Sequence, residues 1–217
     1  MPITINGNGT ISGLSVGGLP SGSVTSTTLA TSAKPLFSSF AILEHYEAHG
    51  TDGQALSTAD TWTDKTLTRI YTDPDSIVSL SSNQFTLQAG TYHINWNCTF
   101  FEVDRCQSRL YNVTDSAVVK HSQNSFAQNG AAHAIVSPPG DARITIASAK
   151  TFKLQVFADN VAVSANEELG VAGGASANND GSEELFATVT IYTVSYTHLR
   201  AHETPEHRVC RLVLEKK

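Results

Sequence analysis

This sequence predicts an all-β protein, an antiparallel jelly-roll sandwich of about ten short strands, and three observations predict it. The clearest is the alternation from Thr91 to Phe100. Tyr92, Ile94, Trp96, Cys98 and Phe100 fall on one face, and Thr91, His93, Asn95, Asn97 and Thr99 on the other, which is the period-two pattern of a half-buried strand. The second is composition: of 217 residues only 16% are charged, well below the roughly 25% of an average soluble domain. Ser, Thr, Asn and Gly fill the difference, and no amphipathic helical stripe interrupts them. The third is the spacing of turn signals such as Asp73-Pro74-Asp75, Ala89-Gly90, Thr114-Asp115-Ser116 and Pro138-Pro139-Gly140-Asp141 between apolar runs.

Taken in order, residues 1–34 form the first segment. They carry no charge before Lys34 and contain 6 Gly, 6 Ser and 6 Thr, so they cannot bury a core alone. Ile3, Ile5, Ile11 and Leu14 at intervals suggest an extended linker, or a neck that packs against copies of itself. Residues 35–194 carry the globular pattern. Strands are expected over 39–46, 66–71, 77–80, 84–88, 91–100, 107–113, 117–120, 143–147, 151–158 and 185–194. The first and last of these are apolar on both sides. Phe40 and Ile42 oppose Ala41 and Leu43, while Phe186 and Tyr192 oppose Leu185, Ala187, Val189 and Ile191. A sandwich interior covers one face only, so Phe186, Tyr192, Phe40 and Ile42 are the expected contacts between subunits. Residues 195–217 break the pattern, with His, Arg, Glu and Lys crowding together.

The residues point away from catalysis. The net charge of −6 repels phosphate backbones and anionic lipid heads, which excludes nucleic acid and membrane surfaces as partners. No apolar run is long enough to span a bilayer, and the first residues read as neither signal peptide nor anchor. His45 and His49 lie four apart, but on a strand they stand about 13 Å from one another, too far to share a zinc ion. Glu44 with Glu47 and Glu183 with Glu184 are sequence neighbours rather than carboxylates facing across a cleft. Asn178-Asn179-Asp180-Gly181 lacks the ligands that would complete a calcium loop. No phosphate-binding glycine loop and no nucleophile elbow occur. No cofactor, metal site or catalytic residue is expected. Cys98, on the apolar face, reads as a buried thiol, with Cys106 a possible partner across a hairpin.

Gln84-Phe85-Thr86-Leu87-Gln88-Ala89-Gly90-Thr91-Tyr92-His93-Ile94, followed by Arg109-Leu110-Tyr111-Asn112, resembles the jelly-roll heads of the complement and tumour-necrosis-factor family, with one residue fewer between Phe and Gly. Ile77 to Tyr92, Val103-Asp104-Arg105, Arg109 to Ser116 and Ile146 to Phe152 are closer still to head domains of phage tail fibres and other virion proteins. Gly13 to Pro20 and Gly22 to Thr25 are similar to a segment that precedes such domains. The resemblance implies a homotrimer in a virion tail, made in the host cytoplasm. It would be tied to other tail proteins through its N-terminal segment and would contact a glycan or protein of the bacterial surface without catalysis. A bacterial surface or spore-coat head, and a glycan-cleaving tail enzyme, are the rival readings. Val194 to Thr204 and Val209 to Lys217 resemble translated sequencing adapter, which implies a non-native read-through tail over 195–217. Without it the charge falls to −8, from 9 basic and 17 acidic residues.

Overall fold

The computed structural model describes residues 4–5, 11–12, 37–129, 134–161, 168–172 and 183–194. Two short strands, β1 (Thr4–Ile5) and β2 (Ile11–Ser12), form an antiparallel pair with Thr4 opposite Ser12. The rest of the expected neck, His133, the Asn178–Gly181 turn and the segment 195–217 lie outside the described residues.

Phe37–Ser195 make one compact unit. Its strands are β3 (Phe37–Glu47), β4 (Thr63–Asp64), β5 (Arg69–Thr72), β6 (Val78–Ser81), β7 (Gln84–Leu87), β8 (Gly90–Cys98), β9 (Phe100–Phe101), β10 (Asp104–Asn112), β11 (Ala117–His121), β12 (Ser125–Ala127), β13 (Ile135–Val136), β14 (Gly140–Ile146), β15 (Lys150–Ala158) and β16 (Glu184–Val194). One sheet has the order β14-β8-β16-β3-β5, and the other β11-β10-β15-β7-β6, with β12 beside β10 and β4 beside β15. Every pairing is antiparallel, and successive strands keep crossing between the sheets, so the first and last long strands, β3 and β16, lie side by side. That order is a jelly roll. No helix occurs among the described residues.

The interior is built by the inward half of each alternation. Ile94 lies between Ile191 and Ala142, and Trp96 between Val189 and Gly140. The other sheet answers with Leu110, Leu154, Val156 and the stacked pair Phe85 and Phe152, whose ring centroids are 5.8 Å apart. All are buried, as the pattern of Thr91 to Phe100 requires.

Several elements differ from the sequence reading, each for a local reason. The Pro138 to Asp141 run ends in a strand, because β14 begins at Gly140. A Cβ there would lie 2.1 Å from Cε2 of Trp96, so glycine lets the strand pass the indole. After β9 the chain reverses through Glu102, at positive φ, and enters β10 at Asp104, also at positive φ. The largest correction concerns Phe186, which is 3% exposed and cannot be a subunit contact. Leu185 pairs with Tyr46 and Ala187 with His45, so Phe186 is the extra residue of a β-bulge. The bulge shifts the phase by one, turning Phe186 inward beside Ala187 and leaving Leu185 outward at 48% exposure. Cys98 and Cys106 are free buried thiols on strands of opposite sheets, not partners across a hairpin.

Candidate functional site

The outer face of the five-stranded sheet brings together three of the four expected contact residues. Across the strands, Phe40 on β3 lies opposite Tyr192 on β16, which lies opposite His93 on β8. The next row is Ile42, Thr190, Asn95 and Asp141, and the one after it Glu44, Thr188 and Asn97. Phe40 is 40% and Phe37 42% exposed, with the Phe37 ring 4.8 Å from that of Tyr192 and 6.4 Å from His93. Phe37 escaped the sequence reading because Ser38 and Ser39 mask the start of the strand, which opens two residues earlier than expected.

Away from that corner the face turns polar and becomes concave. A recess of about 550 Å³ is bounded by Asn95, Asn97, Thr188 and Thr190 on the sheet, by His121 at the end of β11 and by Gln123 just beyond it. At its rim Lys120 Nζ donates to both oxygens of Asp141 at 3.3 Å. His121 is braced from behind by the Trp62 ring at 5.5 Å, over which the Arg109 guanidinium lies at 4.1 Å. Nothing local announces this recess, since its walls come from four strands.

The carboxylates of Glu44 and Glu183 do converge, but on a cation. The Arg69 guanidinium donates to Glu44 Oε2 at 2.8 Å and to both oxygens of Glu183 at 3.0 and 2.6 Å, with the Tyr46 ring 4.0 Å below it. Those bonds hold the Glu183 carboxyl below its ordinary range. The group is an ion-pair network at the sheet edge.

The other cluster is interior. Lys65, with 0% exposure, reaches from the segment between β4 and β5 to His45 on β3, donating from Nζ to Nδ1 at 2.7 Å. With Nδ1 accepting, the ring proton sits on Nε2 and is donated to Glu47 Oε1 at 3.2 Å. Burial pushes the ammonium down to about 8 and the thiol of nearby Cys98 up to about 11. Burial, and then the facing Lys65 charge, push His45 down to about 3. His45 is therefore neutral in the fold and protonated below about 6.5 in the unfolded chain, where the unfolded state binds the extra proton. Stability contributed by neutral His45 is complete above pH 6.5 and is lost as pH falls toward 3. Thermal melts across that window will show a lower midpoint in acid, and His45→Gln, which keeps an acceptor for Lys65, will show a shallower fall. Equal slopes in the two proteins would refute the assignment. His49 instead approaches Glu184, with Nδ1 3.6 Å from Oε1. Among the described residues, no group of three or more His, Cys, Asp or Glu is placed to hold a metal ion.

The sequence matches no family model and no curated protein sequence. Among solved structures, the globular domain of zebrafish complement 1qA protein is similar over 73% of this chain and 98% of that one, at 12% identity and a TM-score of 0.42. Murine APRIL at pH 5.0 is similar over 72% and 98%, at 9% identity and a TM-score of 0.46, and at pH 8.0 over 71% and 99%, at 8% and 0.43. The fold class itself rests on strand order and register. The described residues from Phe37 to Val194 form an all-β jelly roll with an apolar corner and a polar recess on one sheet face.

Proposed function

We propose that this chain is a non-enzymatic attachment head that assembles as a homotrimer in a phage tail fibre or tail appendage and contacts the bacterial surface. The observation that carries the assembly is the apolar corner of Phe37, Phe40, Ile42 and Tyr192, outward-facing side chains that a water-soluble subunit covers with a partner. The threefold count and the tail setting come from the motif resemblance of Gln84 to Asn112 and Gly13 to Thr25. The N-terminal segment would join the head to other tail proteins. Three copies of one weak loop contact add up to useful avidity.

Sedimentation of the full chain at micromolar concentration tests this. The wild type will sediment as a trimer, and Phe40→Asp or Tyr192→Asp, which place a charge on an exposed face, will sediment as folded monomers. A wild-type monomer across that range would overturn the proposal.

A further inference from the structure

We propose that the recess between the outer face of β8 and β16 and the end of β11 is a binding site for a neutral saccharide unit. Its volume of about 550 Å³ lies within the roughly 300–1,000 Å³ of small-molecule sites. Most of the side chains lining it are polar and neutral: amides from Asn95, Asn97 and Gln123, hydroxyls from Thr188 and Thr190, and the His121 ring, with Trp96 and Pro139 as the apolar members. Amides and hydroxyls each donate and accept, which is what the hydroxyls of a sugar ring require. Among the described residues, no hydrogen bond occupies the Asn95 amide, the Gln123 side chain or the two threonine hydroxyls. Asn97 spends only its oxygen, on the Thr188 backbone N–H at 3.2 Å. The Asn and Thr groups stand on β8 and β16, whose register is set by pairing with each other and with β14, and the Gln123 backbone N–H donates to Pro139 O at 3.0 Å, so they keep their spacing without a ligand.

Charge and shape narrow the class. Lys120 and Asp141 neutralise one another at the rim, so neither an anion nor a cation finds an uncompensated partner. Among the described lining residues there is no Leu, Ile, Val, Met or Phe to seat the side chains of a peptide. The apolar corner at Phe37 and Phe40 lies toward β3, while the recess opens toward β14 and β11, so the two are separate parts of one face. The inference deepens the attachment reading, from which it takes its biological meaning, but its measurement does not depend on assembly.

Saturation-transfer NMR on the full chain, with D-glucose, D-galactose, N-acetyl-D-glucosamine and D-glucuronate as probes, tests it. At least one neutral sugar will bind saturably in the millimolar range. The double variant Thr188→Val, Thr190→Val, which keeps shape and removes two hydroxyls, will weaken that binding about tenfold. A stronger signal from glucuronate than from every neutral sugar, no saturable binding of any, or binding unchanged in the double variant would overturn the inference. A chain that forms trimers yet binds no neutral sugar would defeat this site alone, and a monomer that binds one would defeat the assembly alone.

Discussion

Phe186→Asp will unfold the subunit instead of dissociating an assembly. The side chain is 3% exposed, its ring lies 5.6 Å from that of His45, and the backbone of Gly170 closes over it. A Cβ on Gly170 would sit 2.0 Å from Cδ1 of Phe186, so the ring fills a space kept open by a glycine at φ +130°. Removing it forfeits about 3 to 5 kcal/mol of packing. The aspartate then stands beside a neutral imidazole in a buried site, and desolvation adds further cost. Against a typical total of about 5–15 kcal/mol that is enough to abolish the native state. Circular dichroism and urea titration will show a largely unfolded protein, whereas Leu185→Asp, one residue away and outward, will fold with nearly wild-type stability. An unchanged urea midpoint in Phe186→Asp would show that the bulge is misplaced.

Trp96→Ala will cost about 3 to 5 kcal/mol, through lost aromatic burial and the cavity left between the sheets. The indole is 3% exposed, packs over Gly140 and donates from Nε1 to Ser108 Oγ at 2.9 Å. Ser108 lies in the opposite sheet, so this bond ties the two layers together. Trp96→Phe retains most of the apolar volume and loses the bond, and will cost about 1 kcal/mol plus a smaller packing term. The two variants together separate volume from hydrogen bonding. Equal losses would mean that the bond to Ser108, not the packing, dominates.

The interior of β8 was legible because burial on one face of a strand imprints a period of two that survives in a ten-residue window. Tyr92, Ile94, Trp96 and Cys98 all point inward as that window requires. The outward apolar corner was legible in Phe40, Ile42 and Tyr192 for the same reason. Phe186 was not. A bulge is set by a partner strand far away in the chain, and one extra residue reverses the inferred face of everything on one side of it. Lys65 was equally hidden, since a lysine between two short strands reads as solvated until a histidine twenty residues earlier is found at its amine.

The sequence by itself therefore determined the class of fold, the inward face of the central strand, and the placement of Phe40, Ile42 and Tyr192 on the opposite, outward face. Tertiary structure alone decided that Phe186 belongs to the core, that Lys65 is buried against His45, and that Asn95, Asn97, Thr188, Thr190 and Gln123 border one recess. The physical reason is range. Alternation is a property of neighbours along the chain, whereas register, bulges and concave surfaces arise from strand pairings that join β8 to β16 and β14 across tens of residues.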